Sequence, residues 1–153
     1  MGITQRTACL SDAELLLSWR NQATTRQFSG HSQLISPDEH LRWFTARLKR
    51  TYMEPYFLFT LNQKPVGTSR LDIVTGSDNE YEISILVDPE QNGQGLGTQI
   101  LEMTCASIIN SHPKSSILAK VHKDNLISQK LFMRAGFKLM PLEGKSFHFK
   151  KIL

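Results

Sequence analysis

The feature that most constrains the fold is a set of three alternating glycines, within Gly93–Gly97, between a strand and a helix. Residues Tyr81–Val87 are rich in β-branched side chains, which predicts a strand. Apolar residues then recur at helical spacing over Leu96–Asn110, and Ile117–Val121 predicts another strand. A strand, a helix and a second strand in this order form a βαβ unit, whose two strands are parallel.

Eight further elements are predicted around this unit. They are strands over Ile3–Cys9, Tyr56–Leu61, Val66–Ile73, Phe137–Leu139 and Phe147–Ile152, and helices that follow the N-caps Ser11, Ser36 and Asn125 and end near Asn21, Lys49 and Ala135. The second helix is expected to bury Leu41, Phe44 and Leu48, and Asn21–Gln33 reads as a polar connector. Together they predict one domain over residues 1–153 of the α/β (α+β) class. Its mixed, mostly antiparallel sheet of six to seven strands has a central parallel pair and helices on both faces.

Composition and charge describe a globular protein that favours small anionic ligands. Of 153 residues, 40% are hydrophobic and 21% are charged, and the net charge is +4. The densest basic cluster, Lys145–Lys151, is interleaved with aromatic residues as in a strand edge, so nucleic acid is not expected as a partner. Cys9 and Cys105 are the only cysteines, and no apolar run approaches about 18 residues. We therefore expect no metal, no membrane partner and a cytoplasmic location.

The glycine-rich turn within Leu86–Thr98 has the properties of an anion-binding site. N–H groups in the first turn of a helix have no intrahelical acceptor, and the helix dipole adds partial positive charge there. Glycine also lets a diphosphate approach this backbone without a Cβ in the way. The turn lacks the lysine that precedes Ser/Thr in a P-loop, and Ile100 stands near the position where the dinucleotide fingerprint needs glycine. A third type of phosphate-binding loop is predicted.

Two segments resemble motifs of the GNAT superfamily of N-acetyltransferases. Asn92–Gly97 is similar to its coenzyme A diphosphate loop, Gln/Arg-x-x-Gly-x-Gly/Ala, and Asn125–Phe137 is similar to its final motif. The order of predicted elements also matches that fold. The resemblance implies a splayed central pair of strands and acetyl-coenzyme A as co-substrate. It departs from the pattern at Asn92, where Gln/Arg is usual, and at Phe132, where a tyrosine usually protonates the leaving thiolate.

The same resemblance assigns a set of residues to acetyl-coenzyme A. Leu86 and Val87, at the end of the Tyr81–Val87 strand, would make the backbone contacts to its pantetheine, and an amide N–H there would stabilise charge on the thioester oxygen. Asn125 would contact the pantetheine or acetyl end while also capping its helix. The full set comprises Leu86, Val87, Asn92, Gly93, Gln94, Gly95, Leu96, Gly97, Thr98, Asn125, Ser128 and Phe132.

Acetylation of an amine requires a group that takes a proton from the ammonium form. Glu82 is the first candidate, because it shares with Ser84 a face of a central strand on which polar groups are costly unless they are used or paired. A salt-bridged, structural Glu82 is the alternative. His122 and His40 are alternative bases with suitable intrinsic pKa values. Ser128 or water would replace the missing tyrosine as the acid.

The acceptor is expected to bind to the first two helices. The candidate residues are Trp19, Arg20, Asn21, His40, Trp43 and Arg47. An aromatic ring beside cationic and imidazole groups suits a base plus a phosphate, as in a sugar nucleotide. The alternative is that Trp43 belongs to the core and that Arg47 is solvated.

The segments around Trp19 and Trp43 resemble the amino-sugar acetyltransferases of pseudaminic acid biosynthesis, which act on a UDP-linked 4-amino-4,6-dideoxy sugar. The resemblance therefore implies a small-molecule amine, and first of all a sugar nucleotide, as the partner. Related branches acetylate protein N-termini or polyamines, so these acceptors are alternatives, as is a non-catalytic coenzyme A-binding module. The sequence leaves the oligomeric state open, with a homodimer as one alternative.

Overall fold

Seven strands and five α-helices are present in the described residues, 2–29, 33–141 and 144–153, of the computed structural model. The strands are β1 (Thr4–Thr7), β2 (Tyr56–Leu61), β3 (Lys64–Ile73), β4 (Glu80–Val87), β5 (Ser116–His122), β6 (Lys138–Leu139) and β7 (Ser146–Ile152). The helices are α1 (Ala13–Arg20), α2 (Ala23–Phe28), α3 (Pro37–Leu48), α4 (Leu96–Ser111) and α5 (Leu126–Arg134). The strands form one sheet in the order β1-β2-β3-β4-β5-β7-β6, in which β4 and β5 are parallel and all other pairs are antiparallel. The predicted mixed sheet is confirmed.

Helices cover both faces of the sheet, as predicted. The core under α1 and α3 contains the buried residues Ala8, Leu16, Trp19, Phe44, Tyr56 and Leu58. The core under α4 and α5 contains, among others, Tyr81, Ile83, Leu101, Ile108, Ile117, Phe132 and Phe149. Because side chains alternate along a strand, β4 directs Tyr81 and Ile83 to the α4 side. Its residues Glu82, Ser84 and Leu86 lie on the side of α1 and α3.

Helix α2 lies within the segment Asn21–Gln33 that the sequence predicts as a connector, so the prediction is wrong over these residues. No residue of α2 is buried, and its N-cap Gln22 makes no capping side-chain bond, so no local signal marks the helix. A contact with the end of α1 holds it, since Arg26 Nε donates to the Asn21 carbonyl at 3.2 Å. Residues 30–32 of the predicted connector lie outside the described residues.

The start of α1 also differs from the prediction. Ser11 is not the N-cap, because a short 3-10 turn over Leu10–Asp12 precedes the helix. The carboxylate of Asp12 is nearly buried, accepts the Cys9 N–H at 2.8 Å and binds the Arg6 guanidinium at 2.8 Å. A buried carboxylate must be paired, and this requirement outweighs the capping preference of an exposed serine.

The buried face of α3 is more polar than predicted. Leu41 is exposed, and the buried residues of the helix are His40, Phe44 and Arg47. Arg47 is 1% exposed and its Nε donates to Asp72 Oδ1 at 2.9 Å. Its other nitrogens donate to backbone carbonyls of Glu54 at 2.6 Å and Leu71 at 2.9 Å. Arg47 therefore fastens α3 to β3, and both of its predicted roles, contact with the acceptor and a solvated side chain, are wrong.

Close packing at Gly67 places the start of α4 beside the end of β4. Gly67 of β3 pairs with Val87, and a Cβ added there would lie 2.6 Å from Ile100 Cδ1 and 2.7 Å from the Leu86 carbonyl oxygen. Only glycine leaves room for this approach. The glycine-rich turn is thus held against the sheet by packing beneath it.

Replacing Arg47 by Met should lower the free energy of unfolding by about 3 kcal/mol, because the change removes the closest partner of Asp72 and the donors to the backbone carbonyls of Glu54 and Leu71. Arg50→Met is the matched control, since Arg50 forms an exposed pair with Glu54 and its loss should cost less than about 1 kcal/mol. Denaturant unfolding of both variants measures the difference. Equal losses would show that Arg47 does not act as a structural fastener.

Candidate active site

The parallel strands β4 and β5 separate shortly after they meet. Their pairing covers only three residue pairs, Glu80 with Ser116, Tyr81 with Ile117 and Glu82 with Leu118. Beyond this point β4 pairs only with β3, and β5 pairs only with β7. A gap therefore opens between the carboxyl-terminal halves of two central strands.

The backbone of β4 presents alternate residues to this gap. The Asp88 N–H donates to the Val66 carbonyl at 2.8 Å, and the Glu80 carbonyl accepts from the Val74 N–H at 2.9 Å. Even-numbered residues of β4 therefore direct their N–H and C=O groups to β3. Ile85 and Val87 direct theirs to the gap. The register argues against the predicted backbone contact of Leu86, because Leu86 bonds towards β3 and its side chain packs under α1 and α3.

The glycine-rich turn lies at the mouth of the gap. Gly93 and Gly95 have φ angles of 84° and 72°, in the left-handed region that favours glycine. Gly95 is the N-cap of α4, and Leu96 anchors the turn in the core with 3% exposure. Gly97 packs in the first turn of α4, where its Cβ position lies 3.5 Å from Leu131 Cδ2. The backbone conformation therefore favours glycine at positions 93 and 95, whereas a Cβ at position 97 would make only ordinary van der Waals contact.

The surface of this turn fits an anionic diphosphate. Residues 92–95, Thr98 and Gln99 are exposed, and no atom of the described residues lies within 4 Å of a Cβ added at Gly93 or Gly95. The first N–H groups of α4 have no intrahelical acceptor, and they carry the positive end of the helix dipole. Beside it, the exposed Gln94 donates from Nε2 to Gln91 Oε1 at 3.1 Å.

The predicted residues of α5 divide into a cap and a core residue. Asn125 Oδ1 accepts the Ser128 N–H at 3.2 Å, which confirms the N-cap and places the half-buried Ser128 in the first helical turn. Phe132 is 5% exposed and packs against Phe137 and Phe149, with ring centroids 5.1 and 6.2 Å apart. Its ring contributes to the core, and it carries no group that can donate a proton.

Glu82 lies at the last residue pair before the gap opens. Its Oε1 is 3.3 Å from Lys120 Nζ of β5, and the two side chains are 34% and 50% exposed. This contact matches the structural alternative for Glu82, although the carboxylate stays accessible beside the gap. Ser84 faces the same side of the sheet and pairs in register with Arg70 of β3.

Neither histidine candidate has a nitrogen available to take a proton. His122 Nδ1 accepts the Asp124 N–H at 3.1 Å, so the neutral ring carries its hydrogen on Nε2. His40 is buried, with Nε2 donating to the Ala13 carbonyl at 3.0 Å and Nδ1 accepting from Arg20 at 3.3 Å. Burial, and then the charge of Arg20, lower the pKa of His40. This geometry argues against both as the base.

The predicted acceptor residues fall into two groups, those held within the fold and those that line an open cleft. Trp19 is 4% exposed in the core, and Asn21 is occupied by two bonds to the backbone of Ile35, at 2.9 and 2.8 Å. Arg20 and Trp43 line an open cleft of about 210 Å³. Arg70 of β3 also lines it, and the sequence analysis missed this residue. The sequence does carry a signal for Arg70, because it is a charged residue on a central strand. The same argument selected Glu82.

The described residues contain neither a metal-binding cluster nor a membrane-spanning helix. Among the described residues, no three His, Cys, Asp or Glu side chains are placed to hold a metal ion. In the same residues, no helix is both long and apolar enough to cross a bilayer.

Comparisons with known proteins identify the fold and the family. The family model described as an acetyltransferase (GNAT) domain matches residues 3–138. Among curated proteins, none matches this sequence significantly.

Solved structures share the fold across their whole length. RimL, a ribosomal alpha-N-protein acetyltransferase in complex with coenzyme A, superposes with a TM-score of 0.86 at 17% identity, covering 99% of this chain and 94% of that one. An N-acetyltransferase from Staphylococcus aureus superposes with a TM-score of 0.80 at 20% identity, and the match covers 99% of both chains. The aminoglycoside acetyltransferase AAC(6')-Ib in complex with coenzyme A superposes with a TM-score of 0.85 at 17% sequence identity. The match covers 99% of this chain and 95% of that one. Since the family model covers most of the chain, this protein belongs to the GNAT acetyltransferase family.

Proposed function

We propose that this protein transfers the acetyl group of acetyl-coenzyme A to a primary amine by direct attack of that amine in the gap between β4 and β5. The observation that supports this most is the position of an exposed, glycine-rich helix N-terminus at the mouth of a gap in a parallel strand pair. Membership of the acetyltransferase family supports the same reaction.

Acetyl-coenzyme A, when bound, supplies the acetyl group as an activated thioester. The backbone groups of Ile85 and Val87 would hold its pantetheine, because they face the gap and have no strand partner there. N–H groups of the turn Asn92–Gly97 and of Thr98 would bind the diphosphate. Asn125 and Ser128, in the first turn of α5, would contact the pantetheine from the β5 side.

Glu82 is proposed as the base that takes the proton of the ammonium group, directly or through water. It is the last paired residue of β4 before the gap, and its carboxylate is accessible. Its Oε1 lies 3.3 Å from Lys120 Nζ of β5, across the strand pair. Ser84, on the same face, would help to position the amine. Phe132 offers no proton, so the departing thiolate would be protonated by Ser128 or by water.

The proposed acceptor is a nucleotide-linked amino sugar, such as a UDP-linked 4-amino-4,6-dideoxy sugar. The guanidinium groups of Arg20 and Arg70 beside the Trp43 ring support this choice, because phosphate oxygens and a flat ring suit such a cleft. The solved relatives include a ribosomal alpha-N-protein acetyltransferase and an aminoglycoside acetyltransferase. Aminoglycosides and polyamines are cationic, and a cleft with two arginines would repel them.

The left-handed conformation of Gly95 predicts a specific loss of cofactor binding. Gly95→Ala should weaken acetyl-coenzyme A binding roughly tenfold, because a non-glycine residue pays about 1–2 kcal/mol in this conformation and the turn shifts to avoid it. Gly76→Ala is the matched control, since Gly76 has a φ of 82° but lies in the β3–β4 turn. Calorimetric titration with acetyl-coenzyme A distinguishes them. Unchanged binding in Gly95→Ala would remove the turn from the cofactor site.

Removing the carboxylate of Glu82 should lower turnover about 100-fold or more, with acetyl-coenzyme A affinity unchanged. Glu80→Gln is the control, because Glu80 is two residues away on the same face and pairs with Lys150 at 2.7 Å. Steady-state rates of Glu82→Gln and Glu80→Gln are compared across pH. Near-normal turnover of Glu82→Gln at every pH would leave Glu82 with a structural role alone.

The acceptor class is tested by coenzyme A release with a panel of amines. We expect the highest kcat/KM with a UDP-linked 4-amino sugar and much lower values with spermine and with an N-terminal peptide. Faster release with the peptide or spermine would reassign the acceptor to those classes. Tight binding of acetyl-coenzyme A with no release for any amine would support a non-catalytic binding module.

A further inference from the structure

A polar cleft lies between α1, α3 and β3, on the same side of the sheet as Glu82 and Ser84. Its walls, which enclose about 210 Å³, are formed by Arg20, Ile35, Glu39, His40, Trp43 and Arg70. Arg70 stands opposite Ser84 in the register of β3 and β4. The cleft is therefore one strand away from the place where β4 leaves β5.

Two guanidinium groups contact the ring of Trp43 in this cleft. The Cζ atoms of Arg20 and Arg70 lie 4.6 and 5.0 Å from the ring centroid. Cation–π attraction holds each group against the ring, but two like charges on one ring repel each other. An anion bound beside both groups would relieve this repulsion.

The carboxylates of the protein supply little of that charge. In the described ranges of the chain, no carboxylate oxygen lies within 4.0 Å of the Arg20 guanidinium. Arg70 Nε is 3.7 Å from Asp72 Oδ2, and the other oxygen of Asp72 is held by Arg47 at 2.9 Å. Glu39 lines the cleft with an exposed side chain. Burial, and then the charge of Arg70, lower the pKa of Arg20, as expected for a cation without a close counter-ion.

We propose that the cleft binds an anionic group of the acceptor, held jointly by the guanidinium groups of Arg20 and Arg70 against the ring of Trp43. The inference rests on the proposed function, since it assumes that the acceptor approaches β4 from this side. The bound anion supplies the missing counter-charge. Arg20 and Arg70 are thus specificity residues, which select acceptors with an oxyanion near the amine and reject polycations.

The chemistry of the cleft defines the class of group that it takes. A guanidinium presents a planar fork of donors that matches the paired oxygens of a carboxylate or a phosphate. His40 Nδ1 accepts from Arg20 Nη1 at 3.3 Å and so positions the fork. The half-buried Trp43 ring adds a flat apolar surface for the part of the acceptor next to the anion.

The proposal is tested by calorimetric titration of the protein with inorganic pyrophosphate, UDP and succinate. Saturating coenzyme A is present throughout, so that the glycine-rich turn is already occupied. We expect at least one probe to bind, and Arg20→Gln and Arg70→Gln to weaken that binding about tenfold or more, because each removes a charge-assisted fork. Arg42→Gln is the matched control, since Arg42 is exposed on α3 outside the cleft and its loss should leave binding unchanged.

The variants Arg20→Lys and Arg70→Lys keep the positive charge but remove the planar fork of donors. We expect them to weaken anion binding less than the Gln variants do. Binding of pyrophosphate or UDP identifies a phosphate group, and binding of succinate alone identifies a carboxylate; both support the proposal. No binding of any probe to the wild type, or an equal loss in Arg42→Gln, overturns it.

Acetyl-coenzyme A affinity and coenzyme A release are measured on the same proteins. Normal release from the amine panel without anion binding would refute this inference and leave the proposed function standing.

Discussion

Where β4 and β5 part after three residue pairs, the backbone of β4 is left with hydrogen-bonding groups that no neighbouring strand satisfies. Backbone N–H and C=O groups need partners wherever water is excluded, so the gap requires a ligand or solvent along Ile85 and Val87. A sheet interior is an unusual place for such an edge. The glycine-rich turn at its mouth adds N–H groups of a helix end, and together they make a continuous polar track along otherwise apolar elements.

Because side chains alternate along β4, the strand presents apolar residues to one face of the sheet and the polar residues Glu82 and Ser84 to the other. Tyr81 and Ile83 are buried under α4 and stabilise the strand, whereas Glu82 and Ser84 are partly exposed on the side of α1 and α3. Strand β4 therefore contributes core side chains on one face, polar side chains on the other face and backbone groups that face the gap.

Several polar residues near the site have structural roles that their residue type does not reveal. Arg47 fastens α3 to β3, and this places Trp43 of α3 beside Arg70 of β3. Asn21 holds the backbone of Ile35 at the cleft wall. Buried polar groups of this kind must be paired, so they act as fasteners. Arg20, which has no carboxylate within 4.0 Å in the described part of the chain, keeps its charge available to a ligand.

Local signals in the sequence determined the glycine turn, the N-cap at Asn125, the order of nearly all elements and the family, because each depends on residues that are neighbours along the chain. Only the tertiary structure decided which polar side chains are free. Bonds to Asp124, Ala13 and Arg20 argue against His122 and His40 as bases, and α2 forms without a capping signal of its own. Arg70 joins Arg20 at Trp43 because β3 lies against α3. Such pairings join residues that are distant in sequence, and the free energy of pairing a buried polar group depends on its partner, which periodicity and spacing do not encode.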